Sequence, residues 1–213
     1  EIEVDGRPIL VSNGLIRDWS AWIKEDGHMA HLMSQVIREL SPTPSLLEVG
    51  PLVRLSLDDA RDIPSIKTPY ADAVPILHAS SGIRRIVGLA YMLLWAWTEH
   101  ARAAEQLGEG LTNQVLILFD EIEAHLHPQW QRRIVPSLLR VMDDLTWQVE
   151  LRGDKLKAFS PKLQLIAATH SPLVLASVEP IFDEQTDRII HLEQRGSSVD
   201  LRELPWAKQG DVL

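Results

Sequence analysis

Apolar side chains recur at helical spacing in two stretches of the chain. Between His28 and Leu40 they return every three or four residues, which predicts a helix with one apolar face. A second periodic stretch runs from Ile83 to about Leu107, and the glycines that follow it are typical of a helix end. The two patterns predict helices that each bury one side in a core.

Strand patterns of two kinds separate and follow these helices. The segment from Val53 to Leu57 alternates between apolar and polar residues and predicts a half-buried strand, and the segment from Asp58 to Pro75 is predicted to be polar and turn-rich. Two other runs, Val115–Phe119 and Leu163–Ala168, are almost wholly apolar. Such runs predict strands of a parallel sheet that are buried on both faces.

The remaining elements alternate between helix and strand. A helix is predicted to open at Pro128 and to kink at Pro136, and another is predicted to end near Val178. Between these helices, Trp147–Lys162 is polar and charged and is predicted to be a mobile surface insertion. Two closing strands are predicted at Arg188–Leu192 and Val199–Glu203. This order predicts an α/β fold with a mostly parallel sheet flanked by helices.

Composition and charge narrow the function classes. With 213 residues, of which 45% are hydrophobic, the chain is long enough for one domain with a core or for part of a larger domain. The net charge of -9 argues against wrapping DNA or an anionic membrane unaided. The chain has no cysteine, which fits a cytoplasmic protein. The longest apolar run, Ile86–Trp97, is shorter than the ~20 residues that a membrane helix needs, so we expect no membrane partner.

Two adjacent carboxylates, Asp120 and Glu121, follow the first apolar strand. The carboxyl ends of the strands in an open α/β sheet form the edge where ligands bind. At such an edge one carboxylate is suited to hold Mg²⁺ through water, and its neighbour can act as a general base toward an attacking water. The same pair could instead stabilise the start of the next helix, because acidic side chains favour helix N-termini.

The residues after the pair make the pattern far more specific. The stretch from Asp120 to Pro128 reads Asp-Glu-Ile-Glu-Ala-His-Leu-His-Pro, and Trp130–Arg133, Pro136 and Leu138–Leu139 follow it. This stretch resembles the Walker B and D-loop segment of ABC-type ATPases in the SMC, RecF and OLD-like group. The resemblance extends over roughly residues 53–204.

Ser80, Ser81 and Gly82, which precede the long helix, resemble the signature loop of the same family. Backbone amides at a helix N-terminus form an anion site, and in the family this loop contacts the γ-phosphate held by the opposite subunit. On its own, Ser80 would be read more simply as a helix N-cap. Ile83 stands where the family usually has Gln or Glu, so the resemblance implies the serine and glycine roles but not a polar contact at position 83.

His170 follows the second apolar strand, within the sequence Ala-Thr-His-Ser-Pro. It resembles the switch histidine that, in the family, contacts the γ-phosphate and the attacking water. A single histidine at a strand end is usually structural. The order along the chain of signature loop, carboxylate pair, D-loop and histidine favours the functional interpretation.

The resemblance implies an ATPase head that closes head-to-tail on a second copy around ATP and Mg²⁺. Asp120 would organise the Mg²⁺, and Glu121 and His170 would be catalytic. The residues expected to bind the nucleotide are Ser80, Ser81, Gly82, Asp120, Glu123 and His125. The group also implies a nuclease or other effector subunit, and DNA or RNA, as further partners in a process such as DNA repair or anti-phage defence.

No Gly-x-x-x-x-Gly-Lys-[Ser/Thr] sequence, the Walker A loop that cradles phosphates, occurs in the 213 residues. In the family this loop lies N-terminal to the other motifs, and we expect it on a preceding segment of a longer protein. Residues 1–213 would then be the C-terminal portion of one ATPase domain. Within it lie a strand and loop region (52–78), the signature loop and helix (79–113), and the core with the Walker B, D-loop and switch residues (114–213).

Two other classes of protein stay open. His125 and His127 after an apolar strand also resemble the His-x-His metal site of amidohydrolase-like barrels. The other ligands of such a zinc or two-metal hydrolase would be Asp120, Glu123 and His170. Such barrels need more strands and more ligands than this chain offers. The second alternative is a non-catalytic interaction module that retains only the fold.

Overall fold

In the computed structural model, helices surround a core and four small sheets lie among the described residues. The structure describes residues 2–4, 7–9, 12–43, 46–150 and 162–205. The α-helices are α1 (Leu15–Glu25), α2 (His28–Glu39), α3 (Ser81–Leu107), α4 (Pro128–Gln131), α5 (Ile134–Glu150) and α6 (Pro172–Val178). The strands are β1 (Ile2–Val4), β2 (Arg7–Ile9), β3 (Glu48–Val49), β4 (Ser65–Thr68), β5 (Ala71–Pro75), β6 (Gln114–Phe119), β7 (Lys162–Ala167), β8 (Ile189–Arg195) and β9 (Ser198–Leu204).

The best-packed part of the molecule is a helical lobe, in which α2 contacts α1, α3 and α5. Trp19 on α1 and Leu138 on α5 have no accessible surface, and burying an apolar side chain of this kind stabilises a fold by roughly 1.5–3 kcal/mol. The apolar face predicted for the second helix is confirmed. Its buried members are Leu32, Met33, Val36 and Ile37.

The α/β class with a parallel sheet and flanking helices is confirmed. Strands β6 and β7 pair in parallel over six residues, from Gln114 opposite Lys162 to Phe119 opposite Ala167. Within the described residues the other strand pairs are antiparallel: β1 with β2, β3 with β4, β4 with β5, and β8 with β9. Among the described strands, parallel pairing is therefore confined to the two that precede the candidate chemistry.

Burial of β6 and β7 on both faces is contradicted. Accessibility alternates along both strands, and one face keeps Leu116 at 51%, Leu118 at 69% and Ile166 at 52% of their full exposure. The opposite face, with residues such as Ile117 and Leu165, packs against the core. An uninterrupted apolar run shows only that both faces of a strand carry apolar side chains. Here the described residues cover one face of the strand pair and leave the other exposed.

The segment predicted as a strand at residues 53–57 is irregular. It forms one isolated bridge, in which Val53 and Ile63 exchange backbone hydrogen bonds of 2.9 and 2.8 Å, while Leu57 is fully exposed. The turn-rich segment that was predicted to follow it instead contains the β4–β5 hairpin, and Ile66 of β4 is buried in the core. Helix α1 was not predicted, although it buries Trp19.

Two predictions around α5 are also corrected. The helix breaks at Arg132 and Arg133, before Pro136, which occupies the third position of α5 where its missing N–H removes no helical hydrogen bond. The segment predicted as an insertion, Trp147–Lys162, begins inside α5, which continues to Glu150, and ends on the first residue of β7. Residues 151–161, the main part of that segment, lie outside the described residues.

The end of the described chain is as predicted. Strands β8 and β9 form a hairpin closed by a two-residue turn, and Gly196 in that turn has a positive φ of 63°. Glycine adopts this left-handed backbone without the steric penalty of a Cβ atom. None of the helices in the described ranges is both long enough and apolar enough to cross a membrane.

Candidate functional site

Strands β6 and β7 deliver their following loops to the same edge of the sheet. The Ala168 amide donates to the Phe119 carbonyl at 2.8 Å, and the Ile122 amide donates to the Ala168 carbonyl at 3.3 Å. Parallel pairing therefore continues one step beyond the strands and sets Asp120 and Glu121 beside the loop that carries His170. The side chains of these three residues are exposed, so the edge is accessible to a ligand.

The loop after β6, residues 120–127, has an unusual backbone. Glu121 and His125 have positive φ values of 49° and 62°, a left-handed region that residues with a side chain rarely adopt. Two buried apolar side chains in the same loop, Ile122 and Leu126, are only 2% and 6% exposed and hold it against the core. The surrounding structure therefore fixes the direction in which the polar residues of this loop project.

Glu123 joins this loop to the loop of His170. One carboxylate oxygen accepts from the Thr169 hydroxyl at 2.5 Å, and the other accepts from the His170 backbone amide at 2.6 Å. Burial raises the pKa of Glu123, but these hydrogen bonds together outweigh it and leave the pKa below its ordinary value. Both carboxylate oxygens, which the sequence suggested for nucleotide binding, are thus engaged within the protein.

The signature-like segment lies directly against the same loop. Ser80 caps α3 by accepting from the Ile83 amide at 3.4 Å. Gly82 is buried, and a Cβ atom added there would lie 2.9 Å from the His125 carbonyl oxygen. The Arg85 guanidinium donates to the Glu121 carbonyl at 2.8 Å. The start of α3 therefore packs directly against the loop after β6.

Arg85 and Gln131 are two residues of this region to which sequence reasoning gave no role. Gln131 donates to the Leu126 carbonyl at 2.8 Å and accepts from the Ser171 hydroxyl at 2.6 Å, so it links the two loops a second time. The only available signal was position: Arg85 is one turn after Gly82 on α3, and Gln131 lies within the stretch that carries the family resemblance.

The alternative of a metal-dependent hydrolase gains no support from this geometry. Among the described residues, no group of three or more His, Asp or Glu side chains is arranged to hold a metal ion. His127 instead uses its Nδ1 atom to accept from the Gln129 amide at 3.3 Å and caps α4. The exposed Asp120 carboxylate could serve an ion such as Mg²⁺, which keeps most of its water and takes few protein carboxylates.

Comparison with known families gives one match over most of the chain. Residues 17–176 match the model of a family described as "AAA domain, putative AbiEii toxin, Type IV TA system". The matched span begins on α1 and ends within α6. It therefore includes the signature-like segment, the carboxylate pair and the switch-like histidine.

Curated relatives are longer than this chain. A Vibrio cholerae protein described as retron Vc95 probable ATPase is 27% identical over an alignment of 168 positions, and the match covers 73% of this chain and 27% of that protein. A Septu protein PtuA of Bacillus mycoides is 29% identical over 133 residues, which are 62% of this chain and 15% of that protein. The chain thus spans about a quarter or less of the length of these relatives.

Solved structures of similar fold include heads of SMC proteins. One, from a study of ATP-driven dimerization and DNA-stimulated activation of SMC ATPases, is 16% identical with a TM-score of 0.47, and the match covers 87% of this chain and 89% of that one. Another, an Smc head bound to the C-terminal winged-helix domain of ScpA, is 16% identical with a TM-score of 0.46, covering 87% of this chain and 44% of that one.

Proposed function

The chain belongs to this family of ABC/SMC-like AAA domains, and from that premise we propose that it is part of a head domain that binds and hydrolyses ATP. The observation that carries the proposal is the shared edge of β6 and β7. There the parallel register brings the acidic pair Asp120–Glu121 beside the loop of His170. A probable ATPase among the relatives supports the same activity.

Each residue at this edge receives a distinct role. Glu121 is the general base, because its carboxylate is exposed directly after the strand and can take a proton from an attacking water. His170, exposed on the neighbouring loop, contacts the terminal phosphate and that water. Asp120 holds Mg²⁺ through water, and a bound Mg²⁺ neutralises phosphate charge.

The proposal includes a second copy of the domain. Ser80 and Ser81 are exposed at the start of α3. The first backbone amides of a helix have no acceptor within it, and together with the helix dipole they attract anions. We place this segment against the γ-phosphate bound by the partner copy. The loop from Glu123 to His127 runs along the interface, because it lies against the same end of α3 through the contact of His125 with Gly82.

The phosphate-binding Walker A loop belongs, in this proposal, to another part of the full-length protein. The 213 residues contain no such sequence, and without it the α- and β-phosphates have no cradle. We therefore expect the 213-residue chain alone to bind ATP weakly and to show no turnover. Steady turnover by this chain that Glu121→Ala abolishes would contradict the expectation.

The cellular process and the effector partner are proposed only as broad classes. We propose a cytoplasmic, nucleic-acid-related process such as DNA repair or anti-phage defence, with a nuclease or other effector subunit as partner. The acidic net charge of -9 favours nucleic-acid contact through the assembly rather than through this chain unaided. ATP turnover by the full-length protein, measured with and without DNA or RNA, tests that part.

The central experiment replaces Glu121 in the full-length protein. Glu121→Gln keeps the size of the side chain but removes the base, so turnover should fall by about 10²–10⁴-fold while ATP binding persists. Glu109→Gln is the matched control, because Glu109 is an exposed carboxylate before β6 whereas Glu121 follows it. Turnover at the wild-type rate in Glu121→Gln would remove Glu121 from the mechanism.

The same variant tests the dimer. With hydrolysis blocked, the ATP-bound Glu121→Gln protein should persist as a closed dimer, seen as a doubled mass in light scattering. Adding Ser80→Arg should restore the monomer, because a bulky cation replaces the small hydroxyl at the exposed start of α3. Undiminished ATP-dependent dimerisation of the double variant would show that Ser80 is not at the interface.

A further inference from the structure

The carboxylate of Glu123 connects its own loop to the loop of His170. Its partners there, Thr169 and His170, follow Glu123 by 46 and 47 residues in the sequence. Each of its oxygens has a partner on the second loop, at 2.5 Å to the Thr169 hydroxyl and 2.6 Å to the His170 amide. The Thr169 hydroxyl oxygen in turn accepts from the Ser171 amide at 3.0 Å. Three consecutive residues around the histidine are thus fixed, directly or through one step, by Glu123.

The side of the bridge that carries Glu123 is itself rigidly placed. Its neighbour Ile122 is 2% exposed, and Leu126 three residues later is 6% exposed. The Glu123 carbonyl accepts from the Leu126 amide at 2.9 Å and closes a turn that contains the left-handed residue His125. The imidazole of His170, by contrast, is exposed. The rigid partner is therefore the loop after β6, and the histidine loop is the part that it holds.

We propose that Glu123 is a positioning residue for His170: its carboxylate, bound to the Thr169 hydroxyl and the His170 amide, fixes where the imidazole points. The proposal rests on the function proposed above, in which His170 acts on the phosphate. A carboxylate suits this task because hydrogen bonds to an ionised acceptor are about twice as strong as neutral ones. In this proposal Glu123 acts through His170 instead of contacting the nucleotide itself.

This arrangement also connects the start of α3 to the histidine. Gly82 and Arg85 of α3 contact the loop after β6 at the His125 and Glu121 carbonyls, and Glu123 sits between those two residues. The start of α3, where a second copy is proposed to dock, is therefore in direct contact with the loop that positions the histidine.

The kinetic test is a double-mutant cycle in the full-length protein. Glu123→Ala should lower kcat for ATP by roughly 10–100-fold with KM unchanged, the range that is typical when a residue that orients a metal ligand is removed. In a His170→Ala background the same substitution should cost nothing further, because its effect passes through the histidine. Equal losses in both backgrounds, or a loss confined to KM, would overturn the proposal.

Conservative variants separate orientation from packing. Thr169→Ser keeps the hydroxyl and should retain kcat, whereas Thr169→Val keeps the shape, loses one of the two bonds to Glu123 and should lower kcat by less than Glu123→Ala. Glu123→Gln preserves volume and keeps an acceptor for the His170 amide, so it covers the case in which Glu123→Ala fails to fold. A Thr169→Ser variant as impaired as Thr169→Val would contradict the role of the hydroxyl.

Glu39→Ala is the matched structural control, because Glu39 also joins two elements, α2 and α5, through Arg140 at 2.5 Å. It should lower kcat by the same small factor with and without His170. Hydrogen exchange in the nucleotide-free protein gives a readout independent of turnover. Glu123→Ala should speed exchange of the 168–171 segment and Glu39→Ala should not, and unchanged exchange in Glu123→Ala would overturn the bridge.

The two proposals fail differently. If the full-length protein turns over no ATP but exchange at residues 168–171 responds to Glu123→Ala, the ATPase proposal fails and the bridge stands. If His170→Ala lowers turnover to a small residual rate while Glu123→Ala leaves both kcat and exchange unchanged, the bridge fails and the ATPase proposal stands.

Discussion

The helical lobe and the parallel strand pair differ in how far their apolar side chains are buried. In the lobe, facing sides of α1, α2 and α5 place Trp19, Met33 and Leu138 at 0% exposure. In the strand pair, the face that carries Leu118 stays open, with that side chain at 69% exposure. The candidate chemistry sits at the edge of the open element. We therefore expect that stability and the proposed function are carried by different parts of the molecule, so that substitutions should separate them.

The largest expected contrast is between two leucines. Leu138→Ala in the lobe should lower the free energy of unfolding by about 2–5 kcal/mol, because it empties a closed core site. Leu118→Ala on the open face should change it by no more than about 0.5 kcal/mol. Urea unfolding of the 213-residue chain measures both. A loss of several kcal/mol in Leu118→Ala would mean that the exposed face is covered in solution.

A second contrast compares two glycines on α3 by the same substitution. Gly82→Ala should destabilise by roughly 1–3 kcal/mol, because the new methyl group would lie 2.9 Å from the His125 carbonyl, which is backbone and cannot move alone. Gly88→Ala meets nothing within 4 Å and should stabilise the helix by roughly 0.5–1 kcal/mol. Thermal unfolding of the two variants gives the sign directly, and equal signs would deny the contact between α3 and the loop.

The elements of the open sheet follow from the sequence, but the contacts that organise its edge do not. Apolar runs ending in Asp120 and in His170 predicted β6 and β7, and the rule that ligands bind at strand carboxyl ends placed both residues at one edge. The bonds from Arg85 to the Glu121 carbonyl and from Glu123 to the histidine loop join residues 36 to 47 positions apart. No local pattern reports which loops will meet, so these contacts required the structure.

The sequence patterns also failed to predict two structural features, which are the left-handed backbone of the loop after β6 and the β4–β5 hairpin. Glu121 and His125 adopt a conformation that glycine usually signals, so the sequence gives no cue for it. The β4–β5 hairpin was hidden in a stretch rich in Asp and Pro, residues that are depleted from strands, and is held by tertiary contacts such as those of the buried Ile66. Propensity is a weak guide wherever packing decides the outcome.

The left-handed backbone leads to a third, smaller contrast, between two histidines of the same loop. His125→Gly should stabilise the chain by up to about 1 kcal/mol, because glycine adopts a φ of 62° without the penalty that a Cβ atom brings. His127→Gly should instead destabilise by a few tenths of a kcal/mol, since His127 has an ordinary φ of -62° and caps α4 through its ring. Urea unfolding tests both, and destabilisation by His125→Gly would show that its side chain matters more than its backbone.

The smallest expected effect is a change in unfolding free energy at high pH. It follows from opposite pKa shifts of one titrating side chain in each region. At the open edge, hydrogen bonds leave the pKa of Glu123 lowered. In the lobe, burial, reinforced by a 2.7 Å hydrogen bond from the Tyr91 hydroxyl to Asp18, raises the pKa of Tyr91 to about 12. The folded protein thus holds the phenol proton more tightly than the unfolded chain, whose tyrosines titrate near pH 10. This contribution to stability is fully present below about pH 10 and is lost as the pH rises toward 12.

Tyr91→Phe should therefore flatten the fall in unfolding free energy across that window, and the wild-type-minus-variant absorbance should show a tyrosinate step at about pH 12. A step near pH 10 would mean that neither burial nor the Asp18 bond holds the Tyr91 proton in solution.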